Sequence, residues 1–300
     1  MRLKKCEFEE AEYCGPLFNQ LSTSSLLWEP GQVFENHIGI DYALFTTHLY
    51  LHKLHGHDFP LNGVVLSQCK LEYIWDNCRS KKKLPSFRLN VFIQAKRPQY
   101  GRYAPKALKL KGLKSPYWKF EITPHQQIAL EKLQERLNDR AIICYACPVF
   151  HKADILHKWT LEPRIVENST FPDVATLKGH SAWNFSEPGA IGVANIVPTA
   201  SNSPSLLERV GLLVGQGKSG SGGIFEELQF LSDTIKFTME SVADDATYIR
   251  ARFFEGIRLL QEVTKELADG GKQQALFAYA TIIHFCCLNR TQWLIAGHDE

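Results

Sequence analysis

Residues 90–100 read NVFIQAKRPQY. Leu89, Val91, Ile93 and Ala95 fall on one side of an alternating pattern, and Asn90, Phe92, Gln94 and Lys96 fall on the other. That alternation predicts a β-strand with an apolar core face. Its second face closes on a glutamine and a lysine two residues apart, which share a direction on a strand. Arg97 and Pro98 follow at once, and proline ends strand pairing.

Working outward, 87–96 (FRLNVFIQAK) is one of three segments rich in β-branched and aromatic residues. The others are 38–50 (IGIDYALFTTHLY) and 63–75 (GVVLSQCKLEYIW). All three read as strands of one sheet, preceded by a partly helical N-terminal segment. Residues 97–118 are rich in Pro, Gly and Lys and read as a loop. Thr123-Pro124 then opens a helix to about Asn138, and AIICYACPVF at 141–150 reads as a short buried strand. The order is helix, three strands, helix, strand.

Farther on, 180–198 reads as a hairpin with a Glu-Pro-Gly turn. Residues 199–223 form a linker-like stretch, TASNSPS and GQGKSGSGG around a short amphipathic helix, SLLERVGLLV. Three helices follow at about 224–242, 245–268 and 272–295. The expected organisation is an α/β domain over 1–200, a linker over 201–223 and a helical region over 224–300. Helices this rich in Phe and Leu need a companion surface, so a second copy of the chain or a regulatory protein partner is expected there.

The formal charge of +2 conceals a segregation. Between Arg79 and Lys119 there are 13 Lys and Arg and no Asp or Glu, whereas residues 221–300 hold 12 acids against 7 Lys and Arg. The basic segment carries Phe87, Phe92, Tyr100, Tyr103, Tyr117 and Trp118 among its cations, a composition suited to phosphate contacts interleaved with stacking. Lys81, Lys82, Lys83, Arg88, Arg97, Arg102 and Lys106 are the candidate nucleic-acid contacts. The acid-rich helices are expected to stay off a phosphate backbone.

Eight scattered cysteines exclude a disulfide scaffold, and the N-terminus lacks the apolar run of a signal peptide. The most apolar segment, 275–287, is too short to span a bilayer and reads as a buried helix. A cytoplasmic protein with no membrane partner is expected. Cys144 and Cys147 have CxxC spacing but read as core thiols, as do Cys286 and Cys287.

Upstream, FENHIGIDYALF places Glu35 six residues before Asp41. Pairing of strand 38–46 with strand 88–96 would bring Asp41, Gln94 and Lys96 together at one sheet end, with Glu35 beside them. Asp41 and the Gln94 amide oxygen are ligands of the type Mg²⁺ takes, and Lys96 could orient a water or stabilise charge developing on a phosphodiester.

These residues carry a resemblance. Glu35, Gly39-Ile40-Asp41 and Gln94-Ala95-Lys96, together with the order of elements, resemble the PD-(D/E)XK nuclease superfamily in its QxK variant, over about residues 15–150. The resemblance implies a restriction-endonuclease-like αβββαβ core with a C-terminal α-helical region. It implies a metal-dependent endonuclease in a restriction or anti-phage setting, acting on DNA sooner than RNA. Asp41, Gln94 and the Ala95 carbonyl would hold Mg²⁺, or Mn²⁺ in its place. Lys96 would be the catalytic lysine and Glu35 the helix-borne acid. Gln94 stands where most of the family has an acid, and a second QxK, Gln68-Cys69-Lys70, precedes it. The rival expectation is a catalytically silent nucleic-acid-binding module that assembles with a partner.

Overall fold

The QAK strand is buried on both faces. In a computed structural model describing residues 3–22, 26–30, 43–44, 64–65, 89–189, 192–201, 204–216, 224–242, 247–267 and 270–297, every residue from Leu89 to Ala95 is buried.

In chain order the first strands are β1 (Lys4–Lys5), β2 (Leu27–Trp28), β3 (Ala43–Leu44) and β4 (Val64–Val65). The QAK strand is β5 (Leu89–Ala95), followed by β6 (Gln99–Gly101), β7 (Tyr117–Glu121) and β8 (Ala141–Pro148). The rest are β9 (Ser169–Thr170), β10 (Ala182–Phe185), β11 (Gly192–Asn195), β12 (Thr199–Ser201) and β13 (Thr291–Ala296). The helices are α1 (Glu10–Ser22), α2 (Lys106–Lys109), α3 (Pro124–Leu137) and α4 (Ala153–Leu161). After them come α5 (Leu206–Gln216), α6 (Ile224–Glu240), α7 (Thr247–Leu267) and α8 (Gly270–Asn289).

A mixed sheet runs β2-β13-β5-β8-β9, and an antiparallel sheet runs β1-β6-β7-β10-β11-β12. β5 and β8 are parallel, with α3 in the crossover between them, while β13 lies antiparallel on the other edge of β5. The α/β class is as expected. The expected neighbour of β5 is not: its two edges are taken by β13 and β8. Within the segment 38–46, Ala43 and Leu44 pair with Val65 and Val64.

Helices cover both faces of the mixed sheet. On one, Leu89, Val91, Ile93 and Ala95 pack with Tyr13, Leu17 and Leu21 of α1 and Leu206, Val210 and Val214 of α5. On the other, Phe92, Ile143, Trp293 and Ile295 share a core with α3, α6, α7, α8 and the aromatic face of the second sheet. Asn90, a polar residue in that interior, is satisfied by the Trp293 indole N–H, which donates to Asn90 Oδ1 at 2.9 Å.

The expected boundary at 201–223 therefore does not separate two cores. Part of the apolar surface of the C-terminal helices packs within the same chain: Leu228, Leu231, Ile235, Phe253 and Phe285 are buried in the same cluster as Phe92 and Leu130. Aromatics left on the outside are capped by arginine, with the Arg140 guanidinium 3.7 Å from the centroid of the Phe230 ring and that of Arg136 4.0 Å from that of Phe237.

Two further expectations change. Residues 291–295 end no helix but form the first five positions of β13, because Arg290 takes a left-handed φ of 52° and breaks the helical run. The stretch 97–118 is not all loop, since Gln99–Gly101 and Tyr117–Glu121 pair as strands. The hairpin over 182–195 and the helices beginning at Pro124, Leu206, Ile224 and Thr247 form close to where periodicity places them. Cys144, Cys147 and Cys286 are buried thiols, but Cys287 is exposed. No helix among the described residues is long and apolar enough to cross a membrane.

Candidate functional site

The Lys96 amide donates to the Ala146 carbonyl at 2.8 Å, so the parallel ladder with β8 continues one residue past the strand end. Pro98 has no N–H to continue it, and by Gln99 the chain has entered the second sheet. Gln94, Ala95 and Lys96 thus sit at the seam between the sheets, at the carboxyl end of a parallel pair, the usual ligand position of α/β sheets. The first turn of α3, entered through Thr123 with Pro124 at its first position, begins over them.

Gln94 is only 1 % exposed. Its amide nitrogen donates to Gln126 Oε1 at 2.8 Å and to the main-chain carbonyl of Asn289 at 2.5 Å. Lys96 Nζ lies 3.5 Å from the same Gln126 oxygen and 5.5 Å from the centroid of the Tyr145 ring. Lys96 is 9 % exposed, and that burial holds its ammonium below the ordinary lysine range, with Glu10 pulling upward and Arg290 adding to the fall. Burial raises the Glu10 carboxyl above the ordinary range against the pull of Lys96, Arg290 and Arg97. Among the described residues no direct ion pair joins Glu10 to Lys96.

Lys96, Gln126 and Glu10 open onto a cleft of about 550 Å³, while Gln94 stays behind its wall. Lys96 and Arg97 line it from the sheet, Glu10 from α1, Gln126 and His125 from α3, and Tyr248, Arg252 and Arg290 from the C-terminal region. Arg97 is paired with Glu9, and the lining residue Glu121 is paired with Lys119. Arg252 and Arg290 have no ion-pair partner among the described residues. The net balance of the C-terminal region, which is acidic, does not describe the face it turns to the cleft.

Of the residues singled out in the sequence, Gln94, Ala95 and Lys96 come together, with Arg97 beside them. Arg102 and Lys106 are exposed on the chain after β6 and do not line the cleft. Glu35, Asp41, Gln68, Lys70, Lys81, Lys82, Lys83 and Arg88 lie outside the described residues. The helix-borne acid whose charge reaches Lys96 is Glu10 on α1, which the sequence reading missed along with Gln126, Arg252 and Arg290. Gln126 had a local signal, since it opens the crossover helix that must start where β5 and β8 end. The other three are distant in sequence and had none.

The donor set fits a hard cation in one respect. Gln94 Oε1 is buried and takes no hydrogen bond, leaving an oxygen of the type Mg²⁺ accepts. Among the described residues no three His, Cys, Asp or Glu side chains cluster as a metal site. Gln94 does not line the cleft, so this oxygen is enclosed, and Asp41, the acid that the resemblance implies, lies outside the described residues.

Compared with known proteins, the chain matches no family model, no curated protein and no solved structure.

Proposed function

We propose that this cleft binds the phosphate backbone of a nucleic acid, DNA in the first instance, and that the protein is a metal-dependent nuclease. The observation that carries the reading is Lys96, a buried lysine at the end of a parallel strand pair, facing a cleft lined by Arg97, Arg252 and Arg290. An unpaired cation is costly to bury, and a phosphate next to it offsets that cost.

In hydrolysis a water oxygen bonds to phosphorus and gives up a proton, the bond to the leaving oxygen breaks, and that oxygen takes a proton. Arginines on the cleft wall hold the non-bridging oxygens, while Lys96 orients the incoming water or offsets the charge that builds up on phosphorus. Glu10, its carboxyl raised by burial, is a candidate for proton exchange at the same place. A bound divalent ion would make the water more acidic and neutralise phosphate charge. The three-layer arrangement around β5, the α3 crossover and β8 supports the restriction-endonuclease-like reading of the fold.

The test is cleavage of plasmid and single-stranded DNA in Mg²⁺, Mn²⁺ and EDTA. Lys96→Ala is expected to lower the rate by roughly 100-fold or more while DNA is still bound. Equal rates in wild type and variant would sink the assignment. A second reading, a silent binding module, is favoured by the Gln94 amide nitrogen, which is engaged with Gln126 and Asn289 where an acid would serve a metal better. Binding without cleavage under every metal condition would select it.

A further inference from the structure

We infer that the C-terminal helices form the substrate wall of the cleft and select an unpaired strand, with Arg252 and Arg290 on a phosphate beside Lys96 and Tyr248 stacking the adjoining base. The inference rests on the nucleic-acid reading above, but not on cleavage.

Tyr248 and Arg252 stand one turn apart on α7. The Arg252 Nη1–H donates to the Tyr248 hydroxyl at 3.1 Å, and its guanidinium lies 5.5 Å from the ring centroid. This contact orients both groups, yet the tyrosine remains 70 % exposed at the cleft. An isolated exposed aromatic on a surface would need no explanation. One held by an arginine in the wall of a cationic cleft is a stacking platform of the type that single-stranded nucleic acids use.

Arg290 supplies an independent argument. It occupies the left-handed position just after α8, with φ of 52°, and its amide approaches the Cys287 carbonyl at 3.3 Å. Glycine is the usual residue there, because a Cβ is strained in that conformation. The arginine that accepts this strain lines the cleft next to Lys96. The register explains the proximity: Thr291 is opposite Gln94, so Arg290 lies at the QAK end of β5.

The requirement for an unpaired strand follows from the ring and the space. In a duplex both faces of each base are already stacked, so Tyr248 can receive only a base that has left the stack. A cleft of about 550 Å³ is of the size that encloses one small ligand, not a double helix.

The experiment measures fluorescence anisotropy of a labelled single-stranded oligonucleotide and of a hairpin duplex, in EDTA and over a range of salt, with the full chain. The single strand is expected to bind more tightly than the duplex. Tyr248→Ala should weaken single-strand binding roughly 5- to 100-fold and leave the duplex unchanged, and Tyr248→Phe should retain the affinity. Arg252→Ala and Arg290→Gly should each reduce the salt slope by about 0.7. Arg290→Gly should do so without lowering the melting temperature, which separates lost binding from lost folding. Unchanged single-strand affinity in Tyr248→Ala, or equal losses on both probes, would overturn the inference. Binding that depends on Tyr248 but without cleavage in any metal would leave it standing and remove the nuclease reading. Cleavage that needs Lys96 but ignores Tyr248, Arg252 and Arg290 would do the reverse, and failure to bind either probe would remove both.

Discussion

Gln94 and Asn289, 195 positions apart, are joined by a hydrogen bond from the side-chain amide of one to the main-chain carbonyl of the other. The bond ties the QAK strand to the end of α8. It also fixes how Gln94 is oriented, with its nitrogen toward two acceptors and its oxygen left unpartnered.

Replacing that amide by a carboxylate reverses the interaction. In Gln94→Glu the new oxygen would face Gln126 Oε1 and the Asn289 carbonyl. A loss of about 2–4 kcal/mol is expected from the unpaired buried charge, read by chemical denaturation. Mg²⁺ should recover part of that loss in Gln94→Glu and none in Gln94→Met. A variant as stable as wild type without metal would contradict the assigned amide orientation.

The C-terminal strand should carry a large share of the stability. Trp293 is 1 % exposed, its ring is stacked with Phe92 at 6.4 Å, and its indole satisfies Asn90. Trp293→Ala removes the ring and orphans Asn90 Oδ1, so about 3–5 kcal/mol should be lost. Urea midpoints for the two proteins would measure it. A loss under about 1 kcal/mol would show that β13 is dispensable.

Gly192 admits no side chain. A Cβ there would lie 2.5 Å from the Asn184 main-chain oxygen and 2.6 Å from the Trp183 ring. Neither can withdraw, since β10 and β11 pair at that point and Trp183 is fully buried. Gly192→Ala should therefore cost about 1–3 kcal/mol, seen as a lower melting temperature.

Stability should also fall in mild acid. Burial holds the His284 imidazole below its usual 6.5, with the main chain of Arg252 and Phe253 pulling it back up and the Arg252 charge pushing it down. Its ring is stacked on Phe253 at 5.5 Å, so the neutral form is the one that packs. The unfolded chain takes up this proton first. The contribution is thus complete above about pH 6.5 and is lost as pH drops toward the lowered folded value. His151, also lowered by burial, adds to the same trend. Melting temperatures between neutral and mildly acidic pH should decline less in His284→Gln than in wild type, and identical profiles would rule this histidine out.

Local patterns were enough for many elements. Pro124–Leu137 follows from an N-terminal Thr-Pro and a repeating apolar face, Ala141–Pro148 from a short continuous apolar run, and the hairpin at 182–195 from its Glu-Pro-Gly turn. Gln94, Ala95 and Lys96 were also visible, because a glutamine and a lysine before a proline interrupt an otherwise apolar strand. β13 was not visible: Thr291–Ala296 follows a helix directly and is almost wholly buried, so it shows no alternation to distinguish it from more helix. The other residues of the cleft had no local trace either. Glu10 precedes Lys96 by the length of several elements, and Arg252 and Arg290 follow it by more than half the chain. They meet it because β13 inserts beside β5 and draws the end of α8 to the QAK motif. That placement depends on which strand fills the second edge of β5, and a choice between edges is made by packing across the whole core, not by any one segment.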